Sequence, residues 1–124
     1  MMTFLSVFWW LLCAHALADY ALQPDVMARW KYPDAVVPTA AGAWWWWMTA
    51  HALVNGCAVG LVMQATRGWW WAGILEALHH GLTDYAKCRH LITANQDQMS
   101  HLVFKAGLTL LATIYQFIVQ DIET

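Results

Sequence analysis

Glu76, His80 and Asp84 recur every fourth residue in a stretch, Glu76-Ala77-Leu78-His79-His80-Gly81-Leu82-Thr83-Asp84, that lies in a run otherwise as apolar as a membrane span. On a helix this spacing puts all three on one face. The pattern returns in three other apolar segments, as His15 with Asp19, His51 with Asn55 and, in reverse order, Asp97 with His101. Any fold for this chain must therefore house four imidazoles and their oxygen-bearing partners within apolar surroundings.

A chain of 124 residues is the size of one domain, and at 60% hydrophobic and 11% charged it is too apolar and too charge-poor for a soluble protein of that size. It reads as a single integral membrane domain spanning residues 1–124, with the lipid bilayer as its first partner. The formal net charge of -2 offers no basic footprint, which argues against nucleic acid as a partner. Cys13, Cys57 and Cys88 have no CxxC spacing and are odd in number, so they are read as reduced packing residues rather than a disulfide framework or a zinc–thiolate site.

The expected architecture is all-α: a four-helix transmembrane bundle with up-down connectivity and helices over about 3–23, 43–64, 69–87 and 97–120. The stretch Met1 to Ala18 ends in Ala-His-Ala-Leu-Ala and imitates a signal peptide, but its start holds no Lys or Arg. Cleavage would remove His15 and leave its counterparts, so a retained helix is expected, long enough to cross roughly 30 Å of hydrocarbon. Pro24, Pro33 and Pro38 then break the chain into an interfacial loop over 24–42. Within it Asp25 to Tyr32 is either an ordered loop or a short turn of helix with Val26 and Trp30 dipping into lipid and Arg29 and Lys31 facing headgroups.

Trp44 to Trp47 and Trp69 to Trp71 mark membrane boundaries, because an indole is apolar yet its N–H wants a partner. The connection Thr66-Arg67-Gly68 is short enough to make the second and third helices antiparallel neighbours. Ala52, Gly56 and Gly60 form one small-residue stripe and Gly73, Ala77 and Gly81 another; the two are expected to face each other. Arg29, Lys31, Lys87 and Arg89 fall on one side of the membrane against Arg67 on the other, which predicts a multi-pass protein with both termini outside the cytoplasm.

With that topology His15, His51 and His80 each lie about eight residues, roughly 12 Å, from the cytoplasmic end of their helix. They share one level. His101 joins them if the fourth helix begins near Asn95. Insertion scales put an ionised Asp at a helix centre at about 2.5 to 3.5 kcal/mol, so three unpaired carboxylates would cost on the order of 8 to 10 kcal/mol. Glu76 and Lys105 are one turn deeper and are expected to form an intramembrane ion pair. Asp19, Asp84 and Asp97 are then left with only Lys87, at the rim, as a basic neighbour. Imidazole and carboxylate converging from facing helices suit zinc, manganese or iron better than magnesium or calcium. The predicted metal-ligand set is His15, Asp19, His51, His80, Asp84, Asp97 and His101, supported by Asn55. The alternative is a set of hydrogen bonds that only holds the helices together. His79 points off this face as a packing or lipid-facing residue, and His90 belongs to a solvated basic loop.

The segments His-Ala-Leu-Ala-Asp-Tyr-Ala-Leu-Gln at 15 to 23, His51 alone in the second helix, His80-Gly-Leu-Thr-Asp84-Tyr-Ala-Lys87 and Asp97-Gln-Met-Ser-His101 resemble the four signature segments of small bacterial and phage membrane proteins called domain of unknown function 3307. The resemblance covers nearly the whole chain and implies a four-helix membrane protein of unassigned activity. It adds Gln23, Lys87 and Gln98 to the signature positions. The chain departs from the family in its tryptophan density and in the doubled His79-His80, where the spacing to Asp84 favours His80. Three functions fit the residues: a membrane-embedded metal-dependent hydrolase acting on a lipid or phosphoester, a protein that moves protons or ions, and a small structural or partner-binding membrane protein, phage-encoded or not, whose polar cluster only fixes the fold.

Overall fold

The computed structural model describes residues 2–123; Met1, at the head of the signal-like stretch, and Thr124 lie outside them. The described chain is helical, with no strand among the described residues. Helix α1 covers Phe4–Ala16 and runs straight into a π-helical segment, Leu17–Ala21. A short α2 (Asp25–Trp30) follows, then α3 (Trp44–Arg67), α4 (Ala72–Cys88) and α5 (Ala94–Glu123).

Local chemistry sets these limits. Thr3 caps α1 by accepting from the Ser6 backbone N–H at 3.3 Å. The π segment closes with Leu22 N–H donating to the Leu17 carbonyl at 2.8 Å, five residues back. Its wider turn carries Ala18 and Asp19 to the inside. Gly68 ends α3 in the left-handed region at φ 73°, where a side chain would be strained. At the start of α5 the Thr93 N–H donates to Gln96 Oε1 at 2.8 Å and the Gln96 N–H to Thr93 Oγ1 at 3.2 Å, a reciprocal cap. That cap starts α5 at Ala94, one residue before Asn95 and three before Asp97, the two expected starts, and so draws His101 fully into the helix.

Three segments, 4–21, 39–67 and 94–122, are long and apolar enough to cross a membrane. The fourth expected span is shorter: α4 has 17 residues, about 25 Å, and carries Glu76, Asp84 and Lys87 along it. Trp69 to Trp71 form a turn ahead of it rather than its first residues. The outward faces of the long helices are apolar, with Leu5, Leu61, Ile114, Phe117 and Ile118 all exposed, which is compatible with a surface bathed in lipid.

The two small-residue stripes face each other. A Cβ on Gly73 would come within 2.5 Å of the Gly56 carbonyl oxygen and 2.8 Å of the Gly60 Cα, and one on Gly81 would meet the Ala52 Cβ at 3.4 Å. Ala52 thus opposes Gly81 while Gly60 opposes Gly73, so α3 and α4 run antiparallel. Backbone contact this close needs glycine on both sides. Val7, Leu11, Val59, Met63, Ala72, Leu108 and Ala112 make a buried apolar core toward one end. The opposite half is filled almost entirely by polar side chains.

Candidate functional site

Four segments and one connection supply this polar half. His15 precedes the π segment, Asp19 sits within it, His51 and Asn55 lie on α3, and Glu76, His80, Asp84 and Lys87 lie on α4. Asp97, Gln98, His101 and Lys105 come from α5. All four imidazoles, all four of these carboxylates and Lys105 are buried, most of them completely.

The imidazoles meet. His80 and His101 stack with ring centroids 4.1 Å apart, and His51 lies 4.9 Å from His80. His15 is 5.2 Å from His101 and 6.1 Å from His80. The four helices thus bring residues up to 86 positions apart in the chain (His15 and His101) into one cluster.

Within the cluster the acids divide by partner. Glu76 holds Lys105 at 2.6 Å, as the one-turn-deeper spacing predicts. Asp97 takes Lys87 at 2.7 Å on one oxygen and faces His101 Nε2 at 3.2 Å with the other. Asp84 is bound by Lys87 and by Lys31. Lys31 corrects the sequence reading, which sent its ammonium to the headgroups: it is only 3% exposed. Its stem turns inward from the end of α2 because a buried carboxylate offers a full charge partner within reach, and Gln23 Oε1 accepts from the same ammonium at 2.7 Å. The connection that carries it is held by Trp30 edge-on to Trp47 at 5.1 Å and by Trp47 Nε1 donating to the Ala41 carbonyl at 3.1 Å.

Asp19 differs. Among the described residues no lysine lies within 4.0 Å of it. Its Oδ1 lies 3.0 Å from His51 Nε2 and 3.4 Å from His80 Nε2, and those two nitrogens are 3.0 Å apart. Its Oδ2 accepts from Gln98 Nε2 at 2.9 Å, while Gln98 Oε1 faces His15 Nε2 at 3.1 Å. Gln98 therefore bridges the first helix's own His–Asp pair, whose direct separation is 3.9 Å.

Two triads have ligand atoms close enough to share one ion: Asp19, His51 and His80, and His15, Glu76 and His80. The donor atoms of a tetrahedral zinc lie roughly 3.3 Å apart, given metal–ligand distances of about 2.0 Å. The first triad, with edges of 3.0, 3.0 and 3.4 Å, fits that template, so Asp19, His51 and His80 are the residues that would hold such an ion. The second is already served, since Glu76 holds an ammonium. Behind the first triad, Glu76 Oε1 stands 3.6 Å from His80 Nδ1, the side from which a carboxylate orients a ligating imidazole.

The remaining positions fall outside the triad. Asp84 Oδ2 is 3.4 Å from His51 Nε2 but is shared with Lys31. Asp97 and His101 pair with each other. Asn55 turns back along its own helix and donates to the His51 carbonyl at 3.2 Å, and Gln23 donates to the Asp19 carbonyl at 3.3 Å. His79 stacks flat on Phe104 at 4.2 Å and bonds Ser100 Oγ at 3.0 Å, a packing residue; His90 is exposed in the turn after α4. Sequence reasoning missed two features, Lys31 and the π turn under Asp19. For the first a signal existed: three acids set against Lys87 alone demanded another cation.

The family model for a protein of unknown function (DUF3307) matches residues 7–122. The chain belongs to this family. No curated protein and no solved structure matches it. The DUF3307 match contains every member of the polar cluster, from His15 to Lys105, so the site lies within the family domain.

Proposed function

We propose that this DUF3307 chain is a four-helix, up-down, multi-pass protein of the bacterial inner membrane, of host or phage origin, that binds a divalent transition metal (zinc, manganese or iron) at Asp19, His51 and His80. The metal serves hydrolysis of a membrane-associated substrate near the cytoplasmic face. The observation that carries this reading is Asp19: it is the one buried carboxylate lacking a lysine among the described residues, and it shares a 3.0 to 3.4 Å triangle with two imidazole nitrogens. Two imidazoles and a carboxylate leave one coordination position open, the arrangement of catalytic rather than structural zinc. A metal there would lower the pKa of a bound water into the neutral range and so supply a nucleophile.

The orientation rests on Arg29, Lys87 and Arg89 at one end of the bundle against Arg67 at the other; Lys31, being buried, no longer counts toward that bias. Both termini then lie outside the cytoplasm. A second reading, proton handling, draws support from the stacked imidazoles and from the Nδ1 atoms of His15, His51, His80 and His101, which are buried without a hydrogen-bond partner. Elemental analysis of the detergent-purified chain separates the two. About one metal per chain is expected, lost in His80→Ala and kept in His79→Ala. A folded, metal-free chain that still conducts protons in liposomes overturns the metal reading in favour of the second.

A further inference from the structure

Lys31 reaches a place where a soluble loop would have no reason to send a lysine. It closes the connection between the first two long helices, and its ammonium sits between Gln23 and Asp84 at the edge of the Asp19–His51–His80 triangle. The Asp84 oxygen it holds, Oδ2, is also the one that lies 3.4 Å from His51 Nε2. That oxygen adjoins the triangle at its His51 corner, and a lysine holds it there.

Charge sharpens the point. With neutral imidazoles, the cluster sets the carboxylates of Asp19, Glu76, Asp84 and Asp97 against the ammoniums of Lys31, Lys87 and Lys105, leaving one net negative charge. Adding a divalent cation with Lys31 in place leaves one net positive charge. Adding it with Lys31 withdrawn leaves none. In surroundings where an uncompensated buried charge is costly, ion entry and lysine withdrawal are therefore favoured together.

We infer that Lys31 is an internal cation that competes with the metal for Asp84, so that the 24–42 connection regulates the site: closed, it caps Asp84 and leaves three protein ligands for the metal; withdrawn, it frees the Asp84 carboxylate to turn in as a fourth. The exchange breaks the Lys31–Asp84 ion pair and forms a metal–Asp84 bond, while the released ammonium keeps the half-buried Gln23 as a partner. This rests on the metal-binding reading above.

Zinc affinity of the full chain in detergent micelles, measured by competition with a chromophoric chelator, tests it. Lys31→Gln is expected to bind zinc about tenfold or more tightly than wild type, and Lys31→Arg to match wild type. Adding Asp84→Asn to Lys31→Gln should return the affinity to the wild-type value. A measurement without any variant follows Lys31 itself: its labelling by an amine-reactive reagent should rise at least about fivefold when zinc is added, as a buried ammonium becomes accessible. Equal affinities of wild type and Lys31→Gln, or labelling unchanged by zinc, overturn the role of Lys31. If neither chain takes up zinc, the metal-binding reading fails with it.

Discussion

The two halves of this bundle are built from the same helices on opposite rules. Around Val7, Leu11, Val59, Met63, Leu108 and Ala112 the interior is apolar and its cohesion comes from contact alone. A few turns along the same helices, around Asp19, His51, His80, Asp84 and His101, the interior is a closed set of charges and imidazoles. An apolar core tolerates removal of one member at the price of a cavity. A charged core does not, because every deletion strands a partner away from water.

The largest expected effect therefore belongs to the polar half. Lys105→Met leaves Glu76 fully buried without its ammonium and should cost about 3–5 kcal/mol in stability, read from unfolding in a denaturing detergent titration. Adding Glu76→Leu to Lys105→Met should recover most of that loss. A double variant as unstable as the single one would mean that the pair's shape, not its charge, holds this level of the bundle.

Leu11→Ala probes the apolar half by the same measurement. The side chain is fully buried and its loss should cost about 2–5 kcal/mol, with no second substitution of the Lys105 kind able to restore it except one that refills the space. Recovery by a distant charge change would contradict the division into two halves.

The same division explains what was legible in the residues. Helical spacing marked the His and Asp faces, because period 3.6 is imposed by the backbone and survives into the fold. The facing glycine stripes were legible for the same reason: Gly56, Gly60 and Gly73 have no alternative use for their missing side chains. The Glu76–Lys105 pair followed from depth alone. Lys31 did not, since a lysine after a proline break is worth as much at a headgroup as in a core, and only the summed charge of distant helices decides between them. The π turn was equally hidden. It adds one residue to a turn without changing the composition of Leu17–Ala21, and it leaves Ala18 and Asp19 on the inside. The length of α4 was overread for a related reason: tryptophans at 69–71 signal an interface, not a helix start, and the chain spends them on a turn.

The seam between α3 and α4 runs through both halves, and two glycines grade it. Gly73→Ala would press a methyl group to about 2.5 Å from the Gly56 carbonyl oxygen, and separating the helices to make room should cost about 1–3 kcal/mol. Gly81→Ala meets Ala52 at an ordinary 3.4 Å, so it should be close to neutral, the packing change offset by the gain in helix propensity. Interhelical crosslinking between cysteines placed at Ala52 and Gly81, compared in the presence and absence of Gly73→Ala, reports the separation directly. Equal sensitivity at the two glycines would mean that the seam is equally tight at Gly73 and at Gly81.

The smallest effect should come from a polar contact that sits beside the cluster without belonging to it. Ser100 Oγ lies 3.0 Å from His79 Nε2, and His79 meets the cluster at the edge of the His101 ring, with centroids 5.4 Å apart. Hydrogen bonds of this kind between membrane helices average about 0.6 kcal/mol, because each group finds other partners when the bond is lost. Ser100→Ala should therefore shift the unfolding curve by about that much and leave metal content untouched, while His79→Ala, which also removes the ring stacked on Phe104, should cost more. If Ser100→Ala instead destabilised the bundle as strongly as Lys105→Met, cohesion in this half would come from polarity in general. The particular closure of charges around Asp19, Glu76, Asp84 and Asp97 would then lose its standing as the reason for the fold.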